Sequence, residues 1–337
     1  MKKPYVYIYG TGWGSIVAEL LTEQGYKELF QHLTENQKNK DKSYDAENTI
    51  VWVATPPYHL ANIARQILEY SNNIVVEAPG VTTVEEAEAL LASASKFAIW
   101  LCACPYQLKN LPAVRQLRNI IMEKKYGAVK SLEVRIQCNQ TELCSKKYNW
   151  KYDKDRCGGA LNMFGCHIID LLTYLLNDTK VHISMLYPNT VFRQEVTVLT
   201  EQACIVLDNC QLKVIPFQTS DDEAPKEIIV ETEETPKFTC EGLAPGQPAP
   251  YILGMKYFID SLDIKKLQFP YDEQRQPRLK FLQHLVKVLE KIRLSSEQRE
   301  RGWVPIEPRE TKVTESKSKR VSSLTKGNNA NQSLSPS

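Results

Sequence analysis

The stretch Gly158 to Leu176, GGALNMFGCHIIDLLTYLL, sets a histidine and an aspartate three residues apart, His167 and Asp170, in an otherwise apolar run with helical spacing. An imidazole takes or gives a proton near neutrality, and a carboxylate one turn away can fix its tautomer, so the pair could serve general acid/base chemistry. The same pair also suits a core helix with two satisfied polar groups. A lone histidine in an apolar helix is more often a hydrogen-bonded core residue than a catalyst.

A second stretch with chemical meaning is GTGWGS, residues 10 to 15, which follows a short β-rich run and opens a helical one. Glycines there let a backbone approach a pyrophosphate, and the helix N-terminus supplies N–H donors and a partial positive charge. Gly10 and Gly12 take the first two positions of the dinucleotide fingerprint. Ser15 takes the third, small enough for close helix–sheet packing. With Trp13 in the same loop, and Thr55 and Glu77 after the next clear strands, these form the candidate cofactor-binding set. The acidic residue that should end the second strand is the weak half: Tyr26 to Lys42 holds no convincing strand, and Glu35 is the nearest candidate. A functional dinucleotide site and a scaffold that has lost it both remain open.

These residues need elements to position them. Strand-like runs at Tyr5–Tyr9, Thr49–Ala54, Asn73–Glu77 and Phe97–Ala103 alternate with helical ones at Ser15–Thr22, His59–Tyr70 and Thr83–Ser93. That alternation of periods predicts a Rossmann-like, doubly wound parallel sheet wrapped by helices. After Pro105 an amphipathic helix (Leu111 to Lys124) leads to a long alternating strand, Val129 to Cys138. Then come the Gly158–Leu176 helix, strand-like runs near 181–187, 195–200, 203–207, 211–217 and 227–231, and closing helices near 252–263 and 278–296. Beyond Pro308 the chain is Ser, Thr, Asn and Lys with little to bury, so a disordered tail over 308–337 is expected, its SKSKR run a solvated segment.

The 337 residues are 42% apolar and 24% charged, with a formal charge of +2, which gives no reason to expect nucleic acid or a membrane surface as partner. No apolar run reaches the roughly 18 residues of a membrane span. The nine cysteines are an odd number, scattered, and lack a C-x2-C pair, which favours reduced thiols in a cytoplasmic protein over a disulfide framework or a metal site. The N-terminal MKKPYVYIYG imitates a secretory signal only weakly and reads as a first strand.

KKYNW (Lys146 to Trp150), the glycine–histidine stretch, APYILGMKYFIDSL (Ala249 to Leu262) and a closing helix ending RGW (Arg301 to Trp303) stand in that order. Together they resemble the Gfo/Idh/MocA oxidoreductases and, within them, the animal glucose-fructose oxidoreductase domain-containing proteins. The resemblance implies a nicotinamide-binding domain over residues 1–105, with NAD or NADP as cofactor. It also implies an α/β domain over 106–307 with an open, mainly antiparallel sheet whose outer face often makes a homodimer. Active members oxidise a small polyol, such as a sugar or diol. The lysine of a Glu-Lys-Pro turn, with an Asp and a His four residues apart, handles the proton.

Set against that pattern, the turn reads VVEAPG, so the lysine position is Ala78, and the aspartate position is Met163. His167 alone remains, with Lys147 and Tyr148 as candidates to supply the missing acid or line a substrate pocket. His59 stands one residue before the family's cofactor-flanking histidine, which aligns with Leu60. Trp150 and Tyr148 read as packing anchors before sugar platforms, and the strands between 181 and 245 look compressed. Two functions are therefore expected to compete: a degenerate relative acting as a binding or interaction module, and an active oxidoreductase with His167 as acid/base. A secreted, matrix-associated role is a further alternative to the cytoplasmic one.

Overall fold

A computed structural model of the chain describes residues 3–30, 49–71, 73–96, 101–137, 149–159, 161–176, 182–186, 193–217, 226–230, 249–262 and 276–297. The first half alternates strand and helix: β1 (Tyr5–Tyr9), α1 (Trp13–Glu23), β2 (Lys27–Phe30), β3 (Thr49–Val53), α2 (Pro57–Ile67), β4 (Asn73–Val76), α3 (Val84–Lys96) and β5 (Leu101–Ala103). All five strands are parallel, in the order β2-β1-β3-β4-β5. From β1 the chain steps one way to β2 and then back past it to β3. The crevice where a doubly wound fold takes its ligand therefore opens at the carboxyl ends of β1 and β3.

Burial explains which runs became strands. In β3 every residue is buried, with Ile50 and Trp52 entering the core shared with α1 and Val51 and Val53 the core shared with α2 and α3. A strand covered on both faces reads as an unbroken apolar run, as TIVWV does. β2 corrects the sequence reading, which found no strand between Tyr26 and Lys42. Four residues are too few to show alternation, and it is the ladder with β1, Tyr5↔Lys27 through Ile8↔Phe30, that holds them extended. Glu35, the 308–337 tail and the RGW run lie outside the described residues.

The second half contains α4 (Pro112–Met122), β6 (Val129–Gln137), α5 (Cys166–Leu175), β7 (His182–Leu186), β8 (Arg193–Thr200), β9 (Ala203–Asp208), β10 (Gln211–Pro216), β11 (Ile228–Val230), α6 (Ala249–Asp260) and α7 (Gln276–Glu297). Its sheet runs β11-β10-β9-β8-β6-β7, with only the β6–β7 pair parallel. Despite the compressed sequence it has six strands. The alternating inner residues, Val134, Val196, Ile205 and Val214 among them, pack with α4 and α5. The outer face carries a cross-strand charge ladder in which Arg193 meets Asp208 at 2.8 Å and Glu195 at 3.1 Å.

The expected helix over 158–176 is shorter than its pattern. A wide π turn, Leu161–Gly165, precedes α5. Gly158 packs so tightly on residue 150 that a Cβ would lie 2.3 Å from the Trp150 carbonyl oxygen, and Gly159 has φ +96°. Asn162 Nδ2 donates to the carbonyls of Cys157 and Gly158 at 3.0 and 3.4 Å. Those bonds hold the segment off the regular helical ladder.

The closing helices return to the first sheet. Phe258 of α6 meets Trp52 edge-on at 5.9 Å, and Tyr26 Oη donates to the carbonyls of Ile259 and Leu262 at 3.2 and 3.1 Å. α7 sends Leu282, Leu285, Val286 and Leu289 into the core of α2 and α3. Where α6 crosses the short turn Gln107–Asn110, a Cβ on Gly254 would lie 2.4 Å from the Gln107 carbonyl oxygen. Gly254→Ala therefore forces helix and turn apart and should destabilise the chain by about 2 kcal/mol. Urea unfolding of the variant checks this, and an unchanged midpoint would mean the crossing is slack.

Candidate functional site

The glycine loop is built by a close approach between β1 and β3. Ala54 N donates to Tyr9 O at 2.7 Å, and a Cβ on Gly10, whose φ is +116°, would fall 2.3 Å from Ala54 O. Only glycine fits there. Gly12 caps α1 with φ +69°, has no side-chain cap, and has nothing within 4 Å of where its Cβ would be. Ser15 N donates to Gly12 O at 3.1 Å, and the open space beside Gly12 lies at the positive end of the α1 dipole, where an anion is favoured. Beside Gly10, Thr55 Oγ1 is buried with no hydrogen-bond partner. An orphaned hydroxyl against a bare helix N-terminus fits a phosphate-bearing dinucleotide.

Ser15 does not do the packing expected of it: it is exposed, and the buried Gly14 makes the tight contact, its Cβ position 3.3 Å from both Ala54 Cβ and Ile8 Cγ2. The helix phase puts position 14, one residue earlier, against the sheet. Leu60, the position aligned with the cofactor-flanking histidine, is fully buried in the core. His59 is half-buried in the first turn of α2, with its ring 4.2 Å from Tyr58. Tyr58 in turn meets Trp150 edge-on at 6.4 Å, so that tryptophan packs the second half of the chain against α2. Lys147 and Tyr148 lie outside the described residues.

Glu77, at the end of β4, is buried with its carboxylate accepting from Trp52 Nε1 at 2.8 Å and from the Trp13 indole. Burial outweighs those bonds and pushes the carboxyl from 4.5 up to about 7. Trp13, the first residue of α1, also packs on the core that holds α5 and Tyr251, so it joins the glycine loop, Glu77 and the second half of the chain. The next residue, Ala78, packs with Cys104 at the edge of the α2–α3 core and carries no proton.

His167 is buried among aromatic rings, with Tyr106 at 5.6 Å and Tyr251 at 4.9 Å, both edge-on. Its Nδ1 is buried without a hydrogen-bond partner. Burial, and then the charge of Lys109, depress the imidazole to about 3, so it is neutral at physiological pH. Asp170 does not fix the tautomer through Nδ1. Its Oδ1 is taken by Lys109 Nζ at 2.7 Å. Tyr106 Oη donates to Pro79 O at 2.9 Å, so a single side chain spans from the Ala78–Pro79 turn to His167. Sequence reading missed Gly14, Lys109, Tyr106 and Tyr251. The last stood in a quoted motif; Lys109 lies in a turn too short for any periodic signal. No group of three or more potential metal ligands occurs among the described residues.

The raised carboxyl of Glu77 has a measurable consequence. Between 4.5 and about 7 the folded state holds a proton that the unfolded chain releases, so this stabilisation is present below 4.5 and lost as pH rises through 7. Glu77→Gln removes the dependence. Relative to the parent, the variant should gain on the order of 3 kcal/mol between pH 4.5 and 8 in chemical unfolding. Parallel pH profiles would mean that Glu77 is already ionised in the folded chain.

Comparison with known proteins agrees with this architecture. Residues 22–98 match the oxidoreductase family profile with an NAD-binding Rossmann fold, and residues 114–208 match the GFO/IDH/MocA C-terminal domain. The chain is 27% identical over 198 residues to glucose-fructose oxidoreductase domain-containing protein 1 of Xenopus tropicalis, covering 53% of this chain and 50% of that one. It is 28% identical over 136 residues to levoglucosan dehydrogenase of Pseudarthrobacter phenanthrenivorans, covering 40% and 34%. The chain thus spans about half the length of the first animal relatives it matches, and its sequence match to the dehydrogenase covers 34% of that protein. In fold it is similar to levoglucosan dehydrogenase in complex with NADH and levoglucosan, with a TM-score of 0.66, 14% identity and coverage of 90% and 99%. The parallel sheet carries the match to the family's Rossmann fold and the open, mainly antiparallel sheet the match to its C-terminal domain, and the chain belongs to the Gfo/Idh/MocA oxidoreductases.

Proposed function

We propose that the chain binds a nicotinamide dinucleotide, NAD or NADP, at the β1–β3 crevice and acts as a binding or interaction module with a degenerate proton-transfer set. The observation that carries this is the contrast between its two halves. Gly10, Gly12 and Thr55 keep a cradle with open space and an unsatisfied hydroxyl, while Ala78 and Met163 stand where the family resemblance puts a lysine and an aspartate. A bound dinucleotide supplies the hydride acceptor. The chain's own part is to seat the pyrophosphate on the N–H groups of α1, with Thr55 Oγ1 donating to it and Trp13 and Glu77 bracing the loop. The levoglucosan dehydrogenase structure holds NADH and a sugar, which supports a small polyol as second ligand.

One observation favours the alternative, an active oxidoreductase: His167 Nδ1 is buried and unpartnered, and the neutral imidazole could accept a proton from a substrate hydroxyl. Lys147 and Tyr148 remain candidates for a second group. Cys104, Cys157, Cys166, Cys204 and Cys210 are free thiols, which supports a cytoplasmic chain over a secreted one. Leu199 and Ile229, 39% and 56% exposed on the outer sheet face, support a homodimer there.

Titration with NADH and NADPH, followed by nicotinamide fluorescence, should show micromolar binding of one of them. No binding at millimolar cofactor would sink the proposal. Thr55→Val should weaken that binding about fivefold to tenfold while raising thermal stability, because it removes one hydrogen bond to the ligand and one unsatisfied buried hydroxyl from the free chain. A loss of stability would mean that Thr55 serves the fold. A screen of sugars and diols should give no turnover that His167→Ala abolishes; turnover lost in His167→Ala at unchanged Tm would establish the active enzyme instead.

A further inference from the structure

Trp13 stands at the mouth of the crevice. It is the first residue of α1, half-buried, and its indole donates to the Glu77 carboxylate at the end of β4. In the sheet β1 and β4 are separated by β3. At about 4.8 Å per strand that is a gap of about 10 Å, so indole and carboxylate meet above the carboxyl end of β3, where Ala54 and Thr55 leave the sheet. Trp13 also packs on two cores at once, one holding Ile8 and Ala54 and the other holding Tyr251. The Tyr251 ring lies 4.9 Å from His167. Two residues after Glu77, the Pro79 carbonyl accepts from Tyr106, whose ring is 5.6 Å from the same histidine. The indole therefore stands between the glycine loop and the histidine pocket.

A dinucleotide in a doubly wound fold lies across the point where the strand order reverses, its pyrophosphate at the helix N-terminus and its two nucleosides to either side. One nucleoside falls on the β2 side and the other over β3 and β4, toward the second half of the chain. Resting on the reading that the loop seats a pyrophosphate, we infer that Trp13 is a specificity-determining residue. Its indole, held by Glu77, fills the half of the crevice that the nicotinamide nucleoside needs. The crevice as it stands accepts an adenine nucleoside diphosphate, and a whole dinucleotide enters only after the indole swings out. Gly14, seated 3.3 Å from Ala54 and Ile8 at its Cβ position, fixes α1 on the sheet, so the indole moves as a side chain and not with its helix. Opening breaks the bond to Glu77 and lifts the ring from both cores. The apparent affinity for a dinucleotide is reduced by the fraction of chains that are open, while a nucleoside diphosphate meets no such penalty.

The test titrates the full chain calorimetrically with ADP, NADH and NADPH. The parent should bind ADP at least as tightly as the better dinucleotide. Trp13→Ala should leave ADP affinity within about twofold and tighten the better dinucleotide at least about tenfold. Trp13→Phe deletes the N–H donor and keeps much of the packing, so it should shift the dinucleotide in the same direction by less, and it carries the test if Trp13→Ala does not fold. Unchanged dinucleotide affinity in the folded variants, or equal losses for ADP and dinucleotide, would overturn the inference and leave Trp13 a brace. A loss confined to the dinucleotide would overturn it as well, by making the indole a partner of the nicotinamide. ADP separates this inference from the reading beneath it. If ADP binds neither parent nor variants at millimolar concentration, the pyrophosphate cradle fails and the inference falls with it; if ADP binds, the variants alone decide.

Discussion

The backbone contact between Gly254 and the Gln107 carbonyl sets the geometry of everything around the site. The turn it clamps, with the residue before it, carries three side chains with different destinations. Tyr106 reaches back to Pro79 at the end of the first sheet, Gln107 lies under α6, and Lys109 reaches to Asp170 on α5. A turn of four residues has little hydrogen bonding of its own to resist movement. Its position is imposed from outside, and the distance between the Ala78–Pro79 turn and His167 is imposed with it. α6 is therefore as much a part of the site as the helix that bears the histidine.

Within that clamp, two titratable groups are pushed in opposite directions toward the same end. Burial raises Glu77 to about 7 and depresses His167 to about 3, so each is shifted toward its neutral form. The groups differ in how they are satisfied. Glu77 has indole donors and serves the glycine loop through Trp13, whereas His167 is ringed by aromatic edges with Nδ1 left over. The first is the pattern of a brace, and the second leaves one polar atom of the site unsatisfied.

Much of this was legible in the sequence because the relevant physics is local. TIVWV announces a strand buried on both faces, and the Gly10 and Gly12 positions follow from backbone geometry that only glycine adopts freely. What was not legible depends on partners distant in the chain. β2 exists because β1 lies alongside it, and the π turn exists because Gly158 is pressed against residue 150 and Asn162 bonds back to Cys157. The packing expected of Ser15 falls to Gly14, since a fingerprint fixes spacing while the seating of this helix on Ile8 and Ala54 fixes which small residue is used. Lys109 was invisible because its meaning lies entirely in Asp170, 61 residues on.

The uncharged Ala78 and Met163 bear on the electrostatics around Glu77 and His167. A lysine after Glu77 would bring a cation to a buried carboxylate; with alanine there, no cation pairs with Glu77 among the described residues, and burial dominates its titration. An aspartate at 163 would add a second carboxylate to the turn before His167 and compete with the Lys109–Asp170 pair for the imidazole's protonation. With methionine there, Lys109 forms an ion pair with Asp170, which lies on the same helix as the histidine. A lysine and an aspartate at these two positions would carry opposite charges, so alanine and methionine leave the net charge of the region as it would be with both. Such a paired neutralisation costs the fold little, because burying an unpaired charge is expensive and burying none is not. Uncharged residues at 78 and 163 are thus what stability favours, whereas the cradle at Gly10, Gly12 and Thr55, with its buried unsatisfied hydroxyl, is a feature that stability alone would remove.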